Sequence, residues 1–393
     1  MAGASAVIFV PDDTSKTGYP RPLMLSRVMG SPLLSWLVSA LAARGVGRFF
    51  LVCHDQYAGE ARACFPSGLE LTVAASEDAP DLLHVFLSTA DDLEEETVVV
   101  TGPAVLVGRN LASQADVIPA PSCAYRVARE ALMDALDAQF SFLDFLRQRG
   151  KALTDRDGAY SIRAGEELAA WQPVLNLQHL HDLVRSGVEI WDYQNCYVDP
   201  TVTVGRGSVL MPGTILRGRT SVGEECTIGP NTLLENTSVG DGSAVNASQL
   251  YDAKVGRGAK IGPFCYVRPG SEIGDDVKLG DFVEIKNSKI GSGTKVAHLT
   301  YVGDSDVGRN VNFGCGTVTV NYDRAKKHRT TIEDDAFIGC NTNLVAPVTV
   351  GRGAYTAAGS TITDDVPAQA LAVARARQTN KRDWAAKHKV KGK

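Results

Sequence analysis

The chain has 393 residues, 44% of them hydrophobic, and a formal net charge of −5. That length suits two or three domains, the composition is ordinary for a globular chain, and the small negative charge excludes a global pull towards nucleic acid. No apolar run approaches the roughly 20 residues of a membrane span, and the eight cysteines are scattered, without a CxxC pair or metal-ligand spacing.

The N-terminal stretch alternates strand and helix. Residues 6–10 read as a buried strand, and their apolar run meets Asp12 and Asp13 almost at once, unlike a signal peptide. Residues 31–43 read as an amphipathic helix opening on Ser31-Pro32, a cap and first-turn proline. Residues 49–53 and 98–101 are further strands, and the alternation predicts a parallel sheet with helices on its faces. Over 127–149, Ala128, Leu132, Leu136, Phe140, Leu143 and Leu146 recur in steps of three and four, the pattern of one long helix. The polar stretch 155–167 reads as a loop or weak strand, and 176–187 as a linking helix ending in glycine.

From about 204 to 362 the chain repeats in sixes. Val204, Leu210, Leu216, Val222, Ile228 and Leu234 form one run; Val255, Ile261, Val267, Ile273, Leu279 and Ile285 a second; Ile332, Ile338, Leu344, Val350, Thr356 and Ile362 a third. Two places earlier the side chain is usually small, and one place later glycine is frequent. This is the hexapeptide signature of a parallel β-helix. An aliphatic residue every six points into a narrow prism, and glycine takes turn conformations closed to β-branched residues. Three hexads make one coil, so the run holds about nine coils, and at roughly 4.8 Å per coil the prism is about 40 Å long. Hexad coils of this type are expected to wind left-handed, against the usual crossover rule. A glycine-rich sandwich would not repeat at a fixed six. Cys226 and Cys265 fill small-residue slots and read as reduced, packed thiols of a cytosolic protein.

The repeat is interrupted twice. Between Leu234 and Val255 the spacing slips, so short loops are expected to leave the prism there. From Thr319 to Ile332 the step is thirteen residues where six is expected, and the excess carries Asn321, Tyr322, Asp323, Arg324, Lys326, Lys327, His328 and Arg329. An insertion in a repeat protein is often a loop on the binding face. Its cations suit a phosphate, with a solvated charged loop as the alternative. After Asp365 the hexads stop, and a basic tail from Ala376 is either a solvated terminus or a contact for an anionic ligand.

Arg268 and Lys286 are eighteen residues apart, one full coil, and so should stack on one edge. Two cations on one edge are a poor choice unless an anion lies between them. His298 keeps hexad register but stands off the core row. A neutral imidazole near its ordinary pKa of about 6.5 can take a proton from an attacking amine, although a single histidine on such a face is more often structural.

Several segments resemble one family: Arg268-Pro-Gly270, Gly280-Asp-Phe-Val-Glu-Ile-Lys286, Ala297-His-Leu-Thr-Tyr-Val-Gly-Asp304, Asn310-Val-Asn-Phe-Gly-Cys-Gly-Thr317, Asn321-Tyr-Asp323 and Leu344-Val-Ala-Pro-Val-Thr349. The family is the bifunctional bacterial enzyme that makes UDP-N-acetylglucosamine. Its C-terminal half is glucosamine-1-phosphate N-acetyltransferase and its N-terminal half N-acetylglucosamine-1-phosphate uridylyltransferase. The resemblance runs from about 174 to 384.

It implies an α/β nucleotidyltransferase-like domain over 1–173, a linking helix over 174–189, a left-handed parallel β-helix over 190–366 and a basic tail over 367–393. It implies His298 as the base of a direct acetyl transfer, with Glu284 and Asn321 orienting the base or the amine. Sugar-phosphate contacts fall on Arg268, Lys286, Tyr301, Asn312 and Lys327. Contacts to the co-substrate acetyl-CoA fall on Cys315, Tyr322, Cys340, Ala358 and Arg375, with cysteine at 315 and 340 where the family commonly has alanine and serine. A thiol is a weaker donor than a hydroxyl, although the backbone N–H at 340 is still available for a developing oxyanion. A cytoplasmic homotrimer follows, its site in a cleft between prisms, with no membrane or nucleic-acid partner. The expectation is one ridge carrying the imidazole and both cations.

The uridylyltransferase features are missing. The family's glycine-rich phosphate loop is replaced by Val10-Pro-Asp-Asp-Thr-Ser-Lys-Thr-Gly-Tyr19, although Pro20-Arg-Pro-Leu23 still resembles the family's Pro-Lys-Val-Leu. The uracil and sugar loop reads Glu77-Asp-Ala-Pro-Asp-Leu82. The strand that should end in a metal-binding aspartate ends Val100-Thr-Gly-Pro103, which leaves no place for Mg2+ and no other metal site. Fold without site does not give function. An acetyltransferase with a silent N-terminal domain is the leading reading. The alternatives are an enzyme active at both sites, a non-catalytic sugar-phosphate or CoA-binding trimer, and a different acceptor.

Overall fold

A computed structural model describes residues 4–66, 68–77, 93–113, 123–134 and 141–388, and the chain divides into two compact units, Met1–Asn246 and Ala247–Lys393. The first unit opens with a six-stranded sheet in the order Glu70–Ser76, Val46–His54, Ala4–Val10, Glu96–Val100, Ala124–Ala128, Lys151–Ala152. The first four strands are mutually parallel, and the last two pairings are antiparallel. Both faces are covered, as a parallel sheet requires. Ile8, Phe49, Leu51 and Val98 pack with the helix Leu33–Ala42 on one side, and Val7, Phe50, Val52 and Val99 pack with Phe145 on the other.

Three local expectations change. The helix starts at Leu33, because Ser31–Pro32 pairs as a short strand with Arg27–Val28. The pattern over 127–149 is not one helix. Ala124–Ala128 is a strand with Tyr125 and Val127 facing the core, and separate helices follow at Arg129–Met133 and Phe142–Arg149. The second has its own start, since Ser141 Oγ accepts from Asp144 N; Leu136 and Phe140 lie outside the described residues. The linking helix is longer than expected, Gly165–Arg185, so the polar stretch before it resolves into a turn at Asp155–Asp157, a strand at Ala159–Ser161 and the first helical turn. Glu166 and Glu167 in that first turn suit the positive end of the helix dipole.

Coils begin within the first unit at Glu189–Ile190, and Asn176 ties the helix to them, its Nδ2 donating to Cys196 O and its Oδ1 accepting from Val198 N. Leu210, Leu216, Val222, Ile228 and Leu234 are buried, as the hexads predict. The slip after Leu234 is a shortening and not a looping-out. Val239 and Val245 in this unit, and Leu250 and Val255 in the next, are all core residues on consecutive strands. A side of five residues still returns an aliphatic side chain inward.

In the second unit the inward row from Val255 to Ile362 is buried throughout, and Thr319 and Thr356 fill two of its positions. Corner hydroxyls satisfy turn carbonyls that would otherwise be stranded in the prism: Thr294 donates to Gly308 O, Ser305 to Gly303 O and Thr342 to Gly339 O. Among the described residues no helix is long and apolar enough to cross a membrane.

Candidate active site

Stacking places His298 in a column. The strands Lys278–Lys286 and Lys295–Gly303 run in register, with Asp281 opposite His298. Asp281 Oδ1 lies 2.6 Å from His298 Nδ1, and this bond holds the Asp281 carboxyl below its usual range. The His298 side chain is 60% exposed, with Nδ1 fixed by Asp281. One coil further, Tyr301 pairs with Val318, which puts His298 level with Cys315. The pair Phe313 and Ile338 puts Cys315 level with Cys340, and the bond from Gly359 N to Cys340 O puts Cys340 level with Ala358. Arg375 approaches the end of this column beside Gly359. Asp281, absent from the sequence expectation, is thus the imidazole's partner. Glu284, expected there, instead pairs with Arg268 at 3.0 Å. Counting one short coil back from His298 is the signal that could have found Asp281.

A second cluster lies past a corner. Phe282 and Leu299 turn the chain with φ of 56° and 43°. Left-handed backbone is costly for bulky residues and collects at functional sites, and both side chains are exposed. After the corner, Val267 pairs with Ile285 and Arg268 N donates to Ile285 O, so Arg268 and Lys286 stand on one edge as expected. His298 does not share that edge, because the corner puts it on the preceding side of the prism; the single-ridge expectation is corrected accordingly.

The centre of the second cluster is Asp304, which the sequence did not single out. It is buried, it lies 3.6 Å from Lys286 Nζ, and it accepts from Asn287 Nδ2 at 2.6 Å and from Asn321 Nδ2. Burial alone would raise its carboxyl, but the two asparagines and the charges of Lys286 and Lys327 outweigh that and hold it low. The nearby Lys286 ammonium in turn pushes Lys327 below its ordinary value. Tyr301 Oη reaches Asn321 Nδ2 at 3.4 Å and lies over Gly303, where any Cβ would displace it. Two ammonium groups facing one carboxylate leave an excess of positive charge beside Arg268.

The other expected residues are dispersed. Asn312 pairs with Lys295 and Phe337, in a column three residues ahead of Cys315. Tyr322 is exposed at the start of the inserted loop. The loop's charges do not converge on one anion. His328 pairs with Asp323, which also caps Ala325 N and Lys326 N, and Arg329 forks onto Asp306 at 2.7 and 2.8 Å.

In the first unit, Asp12 and Asp13 are used structurally. Asp12 accepts from Thr14 and Tyr57, and Asp13 from Leu23 N, while Arg21 pairs with Glu60. The Thr101 hydroxyl donates to Cys123 O. Residues 78–82 of the expected uracil loop lie outside the described residues. Among the described residues no group of three His, Cys, Asp or Glu could hold a metal ion.

Residues 252–287 and 329–364 match the bacterial transferase hexapeptide (six repeats), and 219–247 the hexapeptide repeat of succinyl-transferase. Bifunctional protein GlmU of Brevibacillus brevis is 56% identical over 210 residues, 53% of this chain and 46% of that protein. The namesake from a Geobacillus species is 52% identical over 206 residues, 52% of this chain and 45% of that protein. The chain therefore spans about half the length of the curated relatives it matches. An inositol-1-phosphate CTP transferase from T. maritima aligns at a TM-score of 0.35 and 14% identity, over 44% of this chain and 96% of that one, too slight a likeness to carry weight.

Proposed function

We propose that this chain transfers the acetyl group of acetyl-CoA to the amine of glucosamine-1-phosphate, as in UDP-N-acetylglucosamine synthesis, and that its N-terminal domain no longer transfers uridylyl groups. The observation that carries the reading is the Asp281–His298 pair, in one column with Cys315, Cys340 and Ala358 and one corner from the cationic edge. In this reading the phosphate is held by Arg268, Lys286 and Lys327. The neutral amine attacks the thioester carbonyl while His298 Nε2 accepts its proton. Nδ1–H donates to Asp281 throughout, fixing the tautomer and stabilising the imidazolium. The tetrahedral intermediate then expels the CoA sulfur, which takes the proton back from Nε2. The backbone N–H at Cys340 is available to the oxyanion.

The chain would act as a cytoplasmic homotrimer, with a crevice between neighbouring prisms bringing the imidazole face and the cation edge onto one substrate. Domain limits at 173, 189 and 366 would then separate silent domain, linker, enzyme and tail. The reading of a silent domain is supported by Asp12, Asp13 and Thr101, which occupy the places of a phosphate cradle and a metal ligand with groups already bonded internally. Assay of thiol release from acetyl-CoA with glucosamine-1-phosphate tests the reading; no release leaves the non-catalytic trimer as the account. Pyrophosphate release from UTP with magnesium and N-acetylglucosamine-1-phosphate should be nil, and turnover there would restore a bifunctional enzyme.

A further inference from the structure

The column beyond His298 holds two thiols in register. Cys315 and Cys340 are level on stacked coils, pinned by the bond from Asn341 N to Cys315 O at 2.8 Å. In-register neighbours at this stacking have Cα atoms about 4.8 Å apart, within the roughly 4.4–6.8 Å that a disulfide spans. Both lie off the inward row, Cys340 exposed and Cys315 partly so. The remaining cysteines differ. Cys53, Cys64, Cys196, Cys226 and Cys265 are buried, and burial pushes the thiols of Cys53, Cys64 and Cys265 up to about 11 and that of Cys196 to about 12. Cys123 is partly buried, and desolvation raises it too. Thiolate is the nucleophile in disulfide exchange, so chemistry concentrates on the column.

We propose that Cys315 and Cys340 form a two-thiol modification site that a low-molecular-weight disulfide oxidises to an intramolecular disulfide. The Cys340 thiolate attacks one sulfur of the small disulfide and expels a small thiolate. The Cys315 thiolate then attacks Cys340 Sγ and expels the second. Two protein thiols and one small disulfide become one protein disulfide and two small thiols, the two protons passing to the leaving thiolates. His298 stands level with Cys315 on the neighbouring coil, its Nδ1 held by Asp281. The functional consequence rests on the acyl-donor reading above; the chemistry does not. A bridge across this column would close the surface on which the thioester is proposed to lie, and reduction would reopen it.

The test uses the full chain, reduced and then exposed to oxidised glutathione, alkylated and digested for mass spectrometry. The expected product is a cross-linked peptide pair joining Cys315 to Cys340, two hydrogens lighter than the separate peptides, absent from Cys315→Ala and Cys340→Ser. Both substitutions face outward, and circular dichroism of each variant checks that the prism is intact. Full alkylation of both thiols, or separate glutathione adducts without a link, overturns the proposal. Acetyl-transfer activity of the parent should fall with cross-linking and return with dithiothreitol, while activity in Cys340→Ser should not respond to the oxidant by this route. A cross-link that left transfer untouched would keep the thiol pair and overturn the acyl-donor reading of the column.

Discussion

At the scale of single residues, the structure separates the group that reacts from the groups that place it. His298 stands off the core row, so His298→Ala should leave the coils folded and lower transfer by roughly 10²–10⁴-fold, the usual share of a general base; near-normal turnover would remove the base assignment. Asp281 acts through His298 and is a positioning residue. With its negative charge gone in Asp281→Asn, the imidazolium loses its stabilising partner and the base becomes weaker. Turnover should fall by about tenfold or more, with KM for either substrate changing less. Gly303 is glycine because Tyr301 Oη occupies the space of its Cβ. Gly303→Ala should fold, displace the phenol, and raise the KM for the sugar phosphate more than it lowers kcat.

At the scale of elements, the inserted loop is closed on itself by His328 and Asp323 and tied to the neighbouring coil by Arg329 on Asp306, while Lys327 reaches the site. The Arg329 guanidinium holds the Asp306 carboxyl below its ordinary value. In the pH range between the folded and unfolded values of that carboxyl, the unfolded chain binds more protons. The pair's contribution is therefore complete above about pH 4 and is lost as pH falls through the folded value. Both partners are nearly half exposed, so the contribution is modest, roughly 0.5 kcal/mol. Arg329→Ala should lower the stability of the second unit by about that much at pH 7 and by nothing measurable at the acid end; an equal loss at both pH values would assign the arginine a packing role.

At the scale of the whole molecule, the first unit carries a buried histidine that has no part in the proposed chemistry. His179, in the helix Gly165–Arg185, packs edge-on against Trp36, and desolvation pushes its imidazole down to about 4. An unfolded chain protonates that ring below about 6.5, the folded chain only near 4, so stability rises with pH across this window. Unfolding by urea should show the first unit weakening by up to roughly 3 kcal/mol between pH 7 and pH 4 from this group, and His179→Leu should flatten the slope. A slope unchanged in that variant would assign the pH dependence to carboxylates.

The hexad rows were legible without coordinates, because a prism admits one aliphatic side chain per side and its period follows from backbone length alone. The stacking of Arg268 over Lys286 followed from the same arithmetic. Two other readings failed for reasons the repeat itself contains. Asp281 and His298 are seventeen residues apart and not eighteen, since a side of five residues shortens that coil, so column mates cannot be found by counting a constant period. Whether His298 shares the edge of the cations depends on where the corner falls, and Phe282 and Leu299 turn it with backbone angles that their residue types do not advertise. The strand Ala124–Ala128 was missed because only its exposed last residue, Ala128, entered the run of threes and fours, and it is the pairing with Glu96–Val100 that makes the segment a strand. Local spacing thus determined the column and its core, whereas coil length, corner position and strand pairing, which depend on residues distant in the chain, decided which side chains meet.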